Sequence, residues 1–178
     1  MAIQTLDDLL IDELKDIYSA EKQALRVYPR LAKSVQSAEL KAALQAHLEE
    51  SKGQVVRLDR IFEILNKRAA GKTCEGMKGV LEESSEAMEV GEPGPVRDAA
   101  IIAAAQRAEH YEVAAYGTVV ALAKTLGQTE IVQLLTETLN QEKAADKQLT
   151  AASKLVNKRA ASPEKREDVP GKKNMAKK

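Results

Sequence analysis

Residues 102–126 read IAAAQRAEHYEVAAYGTVVALAKTL, and this stretch decides the fold. Ile102, Ala105, Glu109, Glu112, Tyr116, Val119, Ala123 and Leu126 follow one another at alternating steps of three and four, which is one face of an α-helix. Glu109 and Glu112 interrupt a stripe that is otherwise suited to a core. Three more stretches have the same period. One runs Leu10, Leu14, Ile17, Glu21, Leu25, Tyr28, Leu31; another runs Leu40, Leu44, His47, Glu50, Gln54, Leu58, Ile61, Leu65; the last runs Ile131, Leu134, Thr138, Glu142, Ala145, Leu149, Val156. Ala, Leu, Glu, Gln and Lys dominate all four, and these residues favour helix intrinsically.

Glycine and proline set the boundaries, crowding into residues 67–95 and sparing the long stretches on either side. Thr5 and Ser37 are placed to cap helices, Pro95 to open one and Gly127 to close one. The pattern predicts helices over 6–35, 38–66, 96–126 and 129–157, with a short amphipathic helix in 74–89 carried by Met77, Val80, Leu81 and Met88. Helices of about 30 residues are about 45 Å long. Joined short–long–short, they make an all-α, antiparallel four-helix bundle of ferritin-like topology, with one long crossover carrying the short fifth helix. An internal repeat agrees: a shift of 88 residues lays Ala20-Glu21 on Ala108-Glu109 and Tyr28 on Tyr116, as a duplicated helical hairpin would.

The length of 178 residues fits one domain. The only cysteine is Cys74, so no internal disulfide forms, which fits a reducing, cytoplasmic setting. The N-terminus lacks the basic start and apolar stretch of a secretory signal. The longest uncharged run, Val113 to Ala123, is about half of what a membrane span needs. Aromatic residues make up 3% of the chain, which argues against a stacking platform for nucleic acid. The formal net charge of zero hides an asymmetry, because residues 158–178 hold eight basic and three acidic side chains. The expectation is a bundle over 1–157 and a basic, disordered tail over 158–178. Such a tail is a solubilising arm, or one that makes weak, salt-sensitive contact with nucleic acid or an acidic surface.

The anomaly is the glutamates. Glu21, Glu50, Glu109, Glu112 and Glu142 lie in phase with the apolar residues, at least one per long helix. In a hairpin, equal distance from the turn means equal height, and Glu21, Glu50, Glu112 and Glu142 all lie about 14–15 residues, roughly 22 Å, from their turns. Five carboxylates at one level must take up protons, admit water or bind cations. Two divalent cations would neutralise most of the charge, and oxygen-rich donors suit iron or manganese. Gln54, Asp146 and His47 stand beside them as further ligands or as partners to the ligands. His110 points about 100° away from Glu109. Gly53 either leaves room for a ligand or close helix approach, or is simply tolerated. The alternative for the set is a polar layer that fixes register, or a different phase that sets some of the glutamates at helix edges.

The stretches Tyr18-Ser-Ala-Glu21-Lys-Gln, His47-Leu-Glu-Glu50-Ser-Lys-Gly-Gln54, Ala108-Glu109-His-Tyr-Glu112 and Asn140-Gln-Glu142-Lys-Ala-Ala-Asp146 resemble the ferritin-like superfamily, more narrowly the bacterial YciE/YciF stress-protein group. The resemblance implies a rubrerythrin-like bundle, a homodimer and an association with stress. It also implies a dinuclear site. Glu21 matches the lone glutamate of the first helix, and Glu109 and Glu112 match the pair on the third. Glu50 and Glu142 match the Glu-x-x-His glutamates of the second and fourth, although Gly53 and Ala145 stand in place of both histidines. Two functions follow. One is a dinuclear iron or manganese protein reacting with O2 or peroxide, with Tyr18, Tyr111 or Tyr116 as nearby donors of electrons or protons. The other is a non-enzymatic interaction protein whose glutamates share protons.

Overall fold

Thr5 opens the first helix with a reciprocal cap: its hydroxyl accepts from the Asp8 amide at 3.1 Å, and the Asp8 carboxylate accepts from the Thr5 amide at 3.1 Å. Those hydrogen bonds hold the Asp8 carboxyl below its ordinary pKa. The computed structural model describes residues 3–69 and 72–162, and within them the chain forms five helices and no strand. They are α1 (Leu6–Ser34), α2 (Ala38–Ile64), α3 (Glu75–Ala87), α4 (Pro95–Thr125) and α5 (Thr129–Ala161). Ser37 caps α2 by accepting from the Leu40 amide. Pro95 stands at the start of α4, where a missing N–H costs nothing. Gly127 turns the chain between α4 and α5 at φ +70°, a conformation that favours glycine. None of these helices is long and apolar enough to cross a membrane.

The helices match the sequence reading except at the last end. α5 continues to Ala161, so Lys158, Arg159, Ala160 and Ala161 are helix rather than tail. Val156, 1% exposed, anchors that end in the core, and Lys158 and Arg159 complement the negative end of the helix dipole. The expected disorder of the tail and its contact with nucleic acid concern residues 163–178, which lie outside the described residues.

α1–α2 and α4–α5 are antiparallel hairpins, and α3 in the crossover packs on α1 and α4. The core is split in two. One apolar cluster gathers Tyr28, Leu31, Leu40, Leu44, Ile101, Ile102 and Leu149 near the α1–α2 turn. The other gathers Leu10, Leu14, Leu58, Ile61, Phe62, Val119 and Ile131 at the opposite end. The glutamates occupy the level between them. Met77 and Leu81 of α3 seat a third, smaller cluster on Ala20 and Ala108. Gly53 is tolerated rather than required, since a Cβ there would meet only Arg57 Nη1 at 3.8 Å.

Asp98 holds the hairpins together. Its carboxylate, 2% exposed, accepts from the backbone amides of Gln36 at 2.8 Å and Ser37 at 2.7 Å, tying the α1–α2 turn to the first turn of α4. Removing it strands one buried donor, the Ser37 amide, and one part-buried donor, the Gln36 amide. Asp98→Ala is expected to lower the unfolding free energy by about 2–3 kcal/mol, read from a chemical denaturation midpoint with unchanged slope; an unshifted midpoint would contradict the clamp.

Candidate metal centre

The α1 and α4 stripes meet in the middle of the bundle in antiparallel register, and the repeat becomes a pair of reciprocal contacts. Tyr28 of α1 donates its hydroxyl to Glu109 of α4 at 3.1 Å, and Tyr116 of α4 donates to Glu21 of α1 at 2.6 Å. Each tyrosine is the other's counterpart under the shift of 88 residues, and so is each glutamate. All four side chains are at most 1% exposed. Sequence reasoning named Tyr116 as a neighbour of the site and missed Tyr28. The repeat carried the signal, because whatever Tyr116 touches on one hairpin Tyr28 touches on the other.

α2 and α5 close the site. His47 Nε2 lies 3.3 Å from Glu109 Oε1 and 3.8 Å from Glu142 Oε2. Ser51 reaches the same ring nitrogen at 3.4 Å, and the Tyr28 ring packs edge-on against the imidazole. Gln54 donates its amide to Glu142 and, at 3.3 Å, to Gln141. One ligating atom each from His47, Glu109, Glu112 and Glu142 fall within 4.8 Å of one another, contributed by three helices. Glu21 adds a carboxylate from the fourth, buried to 0% exposure.

The structure therefore gathers Glu21, Glu109, Glu112, Glu142, His47 and Gln54, and it places two expected residues elsewhere. Glu50 is half-exposed, at 39%. The buried stripe of α2 is centred on Leu44, His47, Ser51, Gln54 and Leu58, and at 100° per residue Glu50 falls about 80° to one side of it. Its carboxylate lies 3.8 Å from His47 Nδ1. Asp146 faces α4 near the surface, where it accepts from Gln106 at 3.0 Å and meets the exposed His110 at 3.2 Å. Tyr18 packs edge-on against Phe62, and Tyr111 turns its hydroxyl to Asp16 and Cys74.

Protons or metal cations must balance the cluster. Seven buried atoms there have no partner while the carboxyls are ionised: Glu21 Oε2, His47 Nδ1, Gln54 Oε1, Glu109 Oε2, both oxygens of Glu112, and Glu142 Oε2. Protonated, the carboxyls of Glu109 and Glu112 share hydrogen bonds with Glu142. Burial, with Glu142 close by, pushes the Glu21 carboxyl up to about 8. Burial pushes Glu142 up to about 7 and holds Glu109 and Glu112 well above the usual carboxylate range, with neighbouring carboxylates adding to the effect on the latter two. Burial alone drives His47 down to about 4. Without a cation, His47 and Glu109 thus meet as neutral groups, not as an ion pair. Unpartnered oxygens with one imidazole make an oxygen-rich donor set that fits Fe(II) or Mn(II).

These shifts fix a pH dependence. A carboxyl whose pKa is raised by folding stabilises the fold below its unfolded value of 4.5, and that stability is lost as pH rises through the folded value. The metal-free protein is therefore expected to lose thermal stability progressively from about pH 4.5 upward, levelling off once the pH passes the folded values of about 7 and about 8. Divalent metal is expected to restore it, because a cation takes the place of the protons. A melting temperature that rises across this interval in the metal-free protein would contradict the protonated cluster.

Similarity to known proteins agrees with this architecture. Residues 5–161 match the family described as a domain of unknown function, DUF892. The chain is 46% identical over 162 residues to protein YciF of Escherichia coli K12, covering 90% of this chain and 98% of that one. The crystal structure of the E. coli stress protein YciF superposes with a TM-score of 0.84 at 43% identity, over 88% of this chain and 99% of that one. YcfI of Rhodopseudomonas palustris, put forward as a structural protein, gives 0.80 at 43% identity over 83% and 94%. A Xanthomonas campestris protein at 21% identity shares the fold, with a TM-score of 0.70. The chain belongs to the DUF892 family, within its YciE/YciF group, and has the ferritin-like helical bundle that its glutamate-bearing stripes describe.

Proposed function

We propose that the protein holds two divalent metal ions, iron or manganese, in the middle of the bundle. The observation that carries this reading is the convergence of His47, Glu109, Glu112 and Glu142 within 4.8 Å, with buried carboxylate oxygens that have no hydrogen-bond partner while the carboxyls are ionised. Glu109, Glu112 and Glu142 are the central carboxylates and His47 the nitrogen donor. Glu21 completes the shell from α1, and Gln54 orients Glu142. Glu50 and Asp146, set to one side of the cluster, belong to the shell only after a change of rotamer.

Bound iron or manganese would supply electron transfer to a small oxidant, O2 or peroxide. The chain's own part is to hold the site dry between two apolar clusters and to keep two phenols, Tyr28 and Tyr116, hydrogen-bonded to the ligating carboxylates. Both phenols have pKa values well above 10, because burial and the glutamates disfavour a phenolate, so each retains its proton beside the site. In this reading the chain is a cytoplasmic, stress-associated protein that works as a homodimer, as the resemblance implies. A second reading, a proton-sharing bundle acting through protein contacts, draws support from Gly53 and Ala145, which remove both histidines of the Glu-x-x-His pattern.

Titration of metal-free protein with Mn(II) or anaerobic Fe(II) separates the two. Two ions per chain are expected, with release of protons as the carboxyls ionise. Glu142→Gln is expected to weaken binding by more than about a hundredfold, beyond what loss of an outer partner costs. The same substitution is expected to raise the melting temperature of the metal-free protein at pH 8, because it removes a charge buried there. No binding to the wild-type chain would leave the second reading.

A further inference from the structure

A site closed at both ends by apolar clusters must be entered from the side, and the four seams between helices are not equivalent. The α1–α2 and α4–α5 seams lie within the tightly packed hairpins. α3 covers the α1–α4 seam, with Met77 and Leu81 seated on Ala20 and Ala108. Opposite it, the α2–α5 seam has no helix over it among the described residues.

That seam is tied at one level and open at the next. Arg57 of α2 reaches across to α5, donating to Thr138 at 3.0 Å, to Glu137 at 2.9 Å and to Gln141. Towards the α1–α2 turn the clasp ends and small residues take over. A groove of about 530 Å³ runs between Ala42, Ala43 and Ala46 on one side and Gln148, Ala151 and Leu155 on the other. Ala43 and Gln148 also line a second, enclosed space of about 10 Å³ bounded by His47, Glu109 and Ala145. That volume holds about one water. Two residues that bound it carry a polar atom with no hydrogen-bond partner: His47 Nδ1 and Glu109 Oε2, on side chains 5% and 1% exposed. Glu50 precedes Arg57 by seven residues, two helical turns, and so shares the face that looks to α5. Its half-exposed carboxylate lies 3.8 Å from His47 Nδ1, outside both spaces.

We propose that the α2–α5 seam is the entry port for the divalent cation, with Ala43 and Gln148 as its neck and His47 and Glu109 as the first ligating side chains the ion meets inside. This rests on the metal reading above and adds a route to it. The sign of the charge selects the traveller: the buried carboxylates draw a cation inward, and Glu39 stands at the groove's edge on α2. Ala43 on α2 and Ala145 on α5 bound the inner space with small side chains. Larger residues there would close it, since the surrounding helices are already close-packed.

The route is tested with the full chain by following the loss of the free Mn(II) electron paramagnetic resonance signal after mixing. Ala43→Leu fills the neck from α2, and Gln148→Trp covers it from the exposed face of α5. Ala121→Leu, on the exposed face of α4, is the control. Each variant is first shown to melt as the wild type does, and two plugs are used so that one poorly folded variant does not decide the matter. Either plug is expected to slow uptake at least about tenfold, a barrier increase of about 1.4 kcal/mol, while the final number of ions stays at the wild-type value. The control is expected to keep the wild-type rate. Folded plug variants that fill at the wild-type rate would overturn the port and leave the metal centre standing. A wild-type chain that never takes up Mn(II) would overturn both.

Discussion

Four carboxyl groups share a dry layer between two apolar clusters, and much of the structure answers to that constraint. Ionised together without a counter-charge they would cost far more than a domain's net stability of about 5–15 kcal/mol. The bundle meets part of the demand with protons, since folding raises all four pKa values. It meets another part with neutral donors, from Tyr28, Tyr116 and Gln54. Several oxygens, both of those on Glu112 among them, have no partner while the carboxyls are ionised. Protonated carboxyls satisfy some of them through Glu142, and a cation would satisfy the same atoms in their ionised form.

The two hairpins do not contribute equally. α1 and α4 are related by the repeat and exchange identical Tyr–Glu contacts across the bundle axis. α2 and α5 have diverged: α2 brings His47, Ser51 and Gln54 to the site, whereas α5 brings Glu142 and Thr138. His47 recovers one nitrogen donor for a pattern that lost two at Gly53 and Ala145, from a position one turn before Glu50. α3, absent from a minimal four-helix bundle, covers the α1–α4 flank, while alanines of α2 and α5 line the opposite one.

Most of the fold was legible in the residues because helix period, caps and Gly/Pro punctuation all agreed. Thr5, Ser37, Pro95 and Gly127 each stand where the pattern put them. Equal distance from the turn was enough to bring Glu21, Glu112 and Glu142 to one level with Glu109. It failed for Glu50 because depth along a helix says nothing about rotation around it, and a side chain about 80° off the stripe reaches solvent. Asp146 stood at the stripe's edge for the same reason, and its hydrogen bond to Gln106 holds it outside. The end of α5 was set too early because a run of charges reads as tail, whereas buried Val156 holds the last turns down. His47 was harder to place, since only packing shows that its imidazole is neutral and wedged between Tyr28 and two glutamates.

Anomalous diffraction from crystals of the full chain soaked in Mn(II), recorded on both sides of the manganese edge, tests the metal centre most directly. Two peaks are expected at the level between the apolar clusters, each within about 2–2.6 Å of carboxylate oxygens drawn from Glu109, Glu112 and Glu142, with His47 on one of them. Density for water or nothing at that level, with the glutamates hydrogen-bonded to one another and manganese confined to surface carboxylates, would contradict it.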